Sequence, residues 1–410
     1  MNNKQNNKPL DQFALDKRAL KAVALQFLIN GMVISSIIPR LPEIRDALNV
    51  DLSSIGQVLT MATVGGIIGS LCSNWILRQT GTKNAMIFGT LLTLLILPLV
   101  AFTSSIWSLL LVLALLMFLD PIVDIAMNLQ GSRISARRKT PVMSRLHGLW
   151  SIGSVLGGLL AATMAMLSVS LAWHLLLAAS LMLIALVFIG GGLLTSDEPI
   201  EPTQKTPKNT NEASNKPTKL WIYALLGGTV FIPEMIGGDW SPFRAKDDLN
   251  ASMGLAGMAY VSFTCGMVVG RLSGDYLAIK LGKIKQFQVA ISLSIIGMTT
   301  VCLVNSLPLV FVGLFISGLG VSVLYPSLYD IAAQDPDRPS MALSIMIAGS
   351  RTIALIAPLT IGLLADTDMF NVGIAMALFA LPCLFLTFFF MGHLIRKNHS
   401  VNIKKTENSL

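Results

Sequence analysis

Runs of about 20 apolar residues recur along this entire chain, each long enough to cross a lipid bilayer. This repetition decides the fold class before any single motif is considered. The spacing predicts twelve spans, at roughly 18–38, 53–77, 85–103, 106–131, 144–167, 171–194, 219–240, 252–279, 286–304, 308–333, 340–364 and 371–395. Composition agrees: 53% of the residues are hydrophobic and 13% charged, against about 25% charged in an ordinary soluble domain. The expectation is an all-α membrane protein of twelve transmembrane helices.

Between the sixth and seventh spans, 196–218 is rich in Pro, Asn, Thr and Lys and nearly free of apolar residues. It reads as a flexible linker. The organisation expected is a tail (1–17), a six-helix bundle (18–195), the linker, a second six-helix bundle (219–395) and a tail (396–410). The first apolar run is followed by Pro39-Arg40-Leu41-Pro42 and no small-residue cleavage site, so it reads as an uncleaved span. Of the 30 Lys and Arg residues, 25 fall on one side of these spans. Arg40, Arg45, Arg244 and Lys246 fall on the other, and Arg351 lies inside a span. This bias predicts cytoplasmic N- and C-termini. The net charge of +8 is spread over short loops and is no nucleic-acid signal. Cys72, Cys265, Cys302 and Cys383 sit in apolar runs without metal spacing and read as small core residues.

The halves repeat. Gly69-Ser70-Leu71-Cys72-Ser73-Asn74 with Gly81-Thr82-Lys83 recurs as Gly270-Arg271-Leu272-Ser273-Gly274-Asp275 with Gly282-Lys283-Ile284-Lys285, offset by 201 residues. A looser echo joins Asp124–Asn128 to Asp330–Gln334. A duplicated six-span unit points to a pseudo-two-fold protein with its site between the halves.

The fourth span carries the chemistry. Asp120, Asp124 and Asn128 step by four and share one helix face. A carboxylate near the bilayer centre costs about 2.5–3.5 kcal/mol, so the face is expected to line a wet path. Pro121 is expected to kink that helix. A carboxylate taken partly out of water suits reversible proton binding. Asp124 is the first choice for proton coupling and Asp120 the second. Arg351, a second kind of charge inside the membrane, is open between an ion pair with Asp124 or Asp330 and a solute contact. Glu234 and Asp239 read as lying near the outer end of the seventh span, with Gly237-Gly238 breaking or bending it. Asn30, Asn128, Trp150, Trp240, Tyr325 and Tyr329 are further candidates to contact solute, each balanced against core packing. No phosphate loop, metal cluster or nucleophile elbow is present in the sequence, so no cofactor and no enzymatic activity are expected.

The loop after the second span and its copy resemble the hallmark loop of the major facilitator superfamily: glycine, an acid, then Gly-x-Lys/Arg. Several stretches are similar to a bacterial branch related to proton-coupled fucose permeases. They are Pro39–Arg45, Asp124–Asn128, His147-Gly148-Leu149-Trp150-Ser151, Glu234 with Asp239-Trp240-Ser241, Gly270–Asp275 and Tyr325-Pro326-Ser327-Leu328-Tyr329. The resemblance implies a bacterial inner-membrane protein whose first, fourth, seventh and tenth spans line the cavity. It also implies a fourth-span acid in proton coupling, at Asp124, and a loop latch involving Asn74, Arg78, Arg271 and Asp275. Asn74 stands where the family has an acid, and the fucose permease's first-span acid falls on Ile38. The function expected is a secondary transporter of a small polar solute, probably sugar-like, driven by protons and acting as a monomer in the bilayer. An exporter of drugs or metabolites on the same fold is the alternative, and a non-transporting sensor or scaffold a third reading. Glycines 148, 153, 157 and 158 without a neighbouring proline lean away from efflux.

Overall fold

The computed structural model describes residues 8–138, 140, 142–194, 220–333, 335 and 338–407. The expected linker lies outside the described residues. Within them the chain is helical throughout, as α1 (Lys8–Ser35), α2 (Leu41–Leu48), α3 (Leu52–Ile96), α4 (Ile106–Arg138), α5 (Met143–Met166) and α6 (Leu171–Gly190). The second half has α7 (Leu220–Met235), α8 (Ser241–Phe243), α9 (Met253–Leu303), α10 (Leu307–Ala333), α11 (Pro339–Ala365) and α12 (Val372–Glu407). Eleven helical stretches are apolar and long enough to cross a membrane, and one of them, Leu52–Phe102, runs for 51 residues. That stretch breaks at Gly81 and supplies two spans, which brings the number to the expected twelve.

The break has a backbone cause. Gly81 adopts φ 74°, ψ 159° and Gly282, 201 residues later, adopts φ 76°, ψ 156°. This region is open almost only to glycine. The same conformation at the same place in each half turns one long helix into a helical hairpin.

Helix packing repeats the duplication contact by contact. A Cβ at Gly65 or Gly69 of α3 would run into the carbonyls of Ala114 or Phe118 on α4. At Gly266 or Gly270 of α9 it would meet those of Phe315 or Leu319 on α10, each partner again 201 residues on. Gly31 lies against the Trp150 carbonyl and Gly153 against that of Leu28, joining α1 to α5. Gly227 against Met346 and Gly349 against Ala224 join α7 to α11 in the same way, displaced by 196. Across the halves, Gly56 sits on Pro358 while Gly257 sits beside Ala162, the same contact with the roles of the halves exchanged. Without a hydrophobic force between helices in lipid, such close backbone approach is what holds them together. The 201 register runs along α10 and sets Tyr325 in the place of Asp124. The echo between Asp124 and Asp330 is therefore not structural: Asp330 lies exposed, 3.7 Å from Lys283.

Both described chain ends lie on one face, called here the terminal face. On the opposite, distal face the halves are bolted together. Arg45 Nη2 donates to Asp247 Oδ1 at 2.8 Å. The Asp366 carboxylate at the end of α11 accepts from the backbone N–H of Leu52 (3.0 Å) and Ser53 (2.7 Å) at the start of α3. Asp51, the residue at the N-cap position, makes no side-chain cap, so the orphan amides of this helix are satisfied from the other half. Leu359 N–H donates to Thr60 Oγ1 at 3.2 Å. Within the first half, buried Gln130 ties the α3 break to α6 by donating to Thr82 Oγ1 and to the Leu194 carbonyl, both at 2.9 Å.

Two substitutions separate backbone strain from crowding. An added Cβ has open space at both Gly282 and Gly238, but only Gly282 has positive φ. Thermal unfolding in detergent should show Gly282→Ala destabilised by about 1–3 kcal/mol and Gly238→Ala little changed. Asp366→Ala should cost about 0.5–2 kcal/mol in the same measurement, and Asp366→Asn, which keeps an acceptor, clearly less.

Candidate functional site

Helix α4 continues through Pro121 without a break in its assignment. Asp120, one residue before that proline, is 14 residues from Ile106, about 21 Å by helical rise. Asp124 lies a similar depth from Arg138. Both carboxylates are half-buried, so neither is sealed in the core nor fully open. Each is held by a neutral amide. Asn30 Nδ2 of α1 donates to Asp120 Oδ1 at 3.3 Å. Asn128 Nδ2 donates to Asp124 Oδ1 at 3.1 Å and to the Asp124 carbonyl at 2.8 Å. Among the described residues neither acid makes an ion pair. Asp120 also borders a cavity of about 10 Å³ inside the first half, lined by Gln26, Asn30, Thr90 and Thr93, a space of the order of one water.

From Asp120 a chain of polar contacts crosses to the second half. Trp150 Nε1 of α5 donates to Asn30 Oδ1 at 2.9 Å. The Arg271 guanidinium of α9 lies 5.7 Å from the Trp150 ring centroid, a cation–π contact. Arg271 Nη1 donates to Ser151 Oγ at 3.1 Å, and its Nη2 pairs with Glu234 Oε1 of α7 at 2.9 Å. Four helices thus meet through six side chains: Asp120, Asn30, Trp150, Ser151, Arg271 and Glu234. The Glu234 charge in turn reaches Asp239. From α11, the Arg351 charge acts on both Asp120 and Asp124 across the divide.

Several sequence expectations are corrected by this geometry. Glu234 is not near the outer end of its span. Helical backbone runs from Leu220 to Asp248, which puts Glu234 midway. Gly237-Gly238 do not break the helix. They lie in a π-helical turn, Ile236–Trp240, followed by a second at Arg244–Asp248. The chain remains helical so far because Arg244, fully buried, is neutralised by Asp248 at 2.6 Å and donates to the Val301 carbonyl. Trp240 is 0% exposed and packs on Phe243 with ring centroids 5.5 Å apart, so it is a packing residue rather than a solute contact. Arg351 does not pair with Asp330, which meets Lys283 instead.

The latch residues separate. Asn74 and Arg78 are exposed on α3 towards the terminal face, and the Asp275 side chain lies outside the described residues. Arg271 sits 11 residues before Gly282, about 16 Å by helical rise, and belongs to the central network. Its charge inside an apolar run was the available signal, the same one that marks Arg351. Ser151 had no comparable signal. Asn128 stays on α4, bonded to Asp124. Tyr325 is half-buried, with its hydroxyl 3.4 Å from Ser350 Oγ, while Tyr329 is largely exposed one turn further on.

Comparison with known proteins adds a decisive match. The Major Facilitator Superfamily profile fits residues 23–244 and again 229–408. The chain belongs to that superfamily. It is similar to the uncharacterized transporter y4wD of Sinorhizobium fredii, 25% identical over 373 residues that cover 88% of this chain and 96% of that one. An uncharacterized MFS-type transporter of Yersinia pestis is 24% identical, covering 85% and 89%. Among solved structures, the nucleoside transporter NupG superposes with a TM-score of 0.66 at 14% identity, covering 92% of this chain and 98% of that chain. A bacterial homologue of the human lysosomal transporter Spinster, captured inward-facing and occupied, gives 0.62 at 13% identity, covering 94% of each. At these identities the structures speak for the fold alone. The major facilitator fold and a multi-pass membrane transporter follow directly.

In this transporter, Arg271 and Glu234 should act as one unit. A double-mutant cycle with Arg271→Gln and Glu234→Gln, read by thermal unfolding, should give a coupling of about 0.5–3 kcal/mol, with the double variant more stable than the single changes predict by addition.

Proposed function

We propose that this protein is a proton-coupled transporter that takes up a small polar solute across the bacterial inner membrane by alternating access. The observation that carries the reading is the pair Asp120 and Asp124, one turn apart at mid-depth, each bonded to a neutral amide and to no cation. An amide can serve both the charged and the protonated carboxyl, whereas a fixed ion pair holds a carboxylate charged. Glu234, paired with Arg271, is the contrasting case. Asp124 is proposed as the proton carrier, with Asp120 coupled to it through space.

Solute contacts are proposed for Asn30, Asn128, Trp150, Glu234, Asp239, Tyr325 and Arg351. The polar character of this set favours a polar solute taken up over an apolar one exported. It also speaks against a scaffold, whose intramembrane acids would be permanently paired. The distal bolts formed by Arg45, Asp247 and Asp366 are proposed to face the periplasm and to be closed here, with the termini in the cytoplasm. Asn74, Arg78 and Asp275 are proposed to act at the cytoplasmic gate, and placement in the fucose-permease-like branch is part of the same reading.

Solute-driven proton flux in proteoliposomes tests this, using a panel of sugars, amino acids and drugs. Asp124→Asn should reduce coupled flux by at least about a hundredfold while leaving the melting temperature within a few degrees. Undiminished flux in that variant would remove Asp124 from the mechanism.

A further inference from the structure

Arg351 is a cation without a partner. It lies in the middle of α11, 12 residues from Pro339 and 14 from Ala365, and its side chain is exposed. Among the described residues it makes no hydrogen bond and no ion pair. An idle guanidinium at this depth is costly, and arginine is the side chain best shaped to bind a carboxylate through two parallel hydrogen bonds. Its field reaches Asp120 and Asp124 on α4, so it faces the space between the halves and not the lipid. The other central guanidinium is already committed: Arg271 is bonded to Glu234 and Ser151 and stacked on Trp150. An incoming anion therefore finds one free guanidinium in this centre.

We propose that Arg351 is the anchor of a carboxylate-binding subsite, and that the transported solute carries a carboxylate. The inference deepens the transport reading and takes the central location of the site from it. The surrounding charges make a second consequence follow. Asp120 and Asp124 on α4, with Glu234 and Asp239 on the α7 segment, set four acids against Arg351 and Arg271, with His147 of α5 near Arg271. A solute carboxylate entering beside Asp120 and Asp124 meets like charge, which a proton on either acid removes. Anion and proton then favour each other's binding, and the favour is reciprocal. The solute neutralises Arg351, the proton neutralises an aspartate, and the loaded site carries no more charge than the empty one.

Binding to the purified full-length protein, with no gradient, tests the subsite separately from coupling. Thermal shift would be measured with matched probes: galacturonate, galactose and galactosamine; lactate, 1,2-propanediol and 1-amino-2-propanol; glutamate and glutamine. Stabilisation is expected from members bearing a free carboxylate, with a loss of at least about tenfold in apparent affinity in Arg351→Gln, a smaller loss in Arg351→Lys, and none in Lys283→Gln. Affinity should rise as the pH falls, by up to about tenfold per unit for one linked proton, and this dependence should flatten in Asp124→Asn. Stabilisation by the neutral or amine members alone, carboxylate binding that survives Arg351→Gln, or silence from every carboxylate would overturn the proposal. Carboxylate binding that persists while Asp124→Asn leaves proton flux intact would keep the subsite and reject only the coupling scheme.

Discussion

Hydrocarbon offers a polar group no partner, so every charge and amide carried into the membrane has to find one in the protein or in enclosed water. Most of the observed structure is an answer to that demand. Arg244 is fully buried because Asp248 and two backbone carbonyls surround it. Gln130 is fully buried because both ends of its amide are used, by Thr82 and by Leu194. Even the first amides of α3, which no residue of its own half caps, are met by Asp366 from the other half. Against this background the few groups with incomplete or exchangeable partners stand out: Asp120 and Asp124 with amides, and Arg351 with none. They gather at one depth and one place, and that is where a path for solute and protons has reason to be.

The second demand is close packing without a hydrophobic drive. Glycine against carbonyl is the device used, between α1 and α5, α3 and α4, α7 and α11, and α9 and α10. Because each contact in one half recurs in the other at a constant displacement, the halves are two rigid copies of one bundle. The swapped contact of Gly56 with Pro358 and Gly257 with Ala162 places a pseudo-two-fold axis between them. Rigid bundles joined by a small number of hydrogen bonds at one end are suited to rocking, since the inner contacts of each half need not change. The polar bridge from Asp120 to Glu234 spans this axis, so whatever binds there senses both bundles at once.

Sequence and structure agree best where the signal is local. Span number, the duplication and the glycine turns were legible because apolar run length and positive φ are properties of short segments. The position of Glu234 was misread because Asp239, Arg244 and Lys246 look like the polar end of a helix. Their burial and pairing, which depend on α9 and α12, extended the helix past them. Arg271 was misfiled with the hallmark loop because it is adjacent to that motif in sequence. Eleven residues of helix carry it back into the membrane, where Glu234 and Trp150 meet it. Trp240 carried a polar handle and an aromatic face, and nothing in the chain order revealed that Phe243 and its neighbours would enclose it.

The amino-acid sequence by itself determined that this chain is a duplicated twelve-helix membrane protein with acids on the fourth span. Bilayer thickness, helical rise and glycine stereochemistry act on neighbouring residues and leave little freedom. Only the tertiary structure decided which intramembrane charges are spent on one another and which remain available. That outcome depends on how each helix is rotated about its axis and how the two bundles register across their axis. Residues separated by up to more than 200 positions set those quantities together, as when Arg45 meets Asp247 and Arg351 faces Asp124.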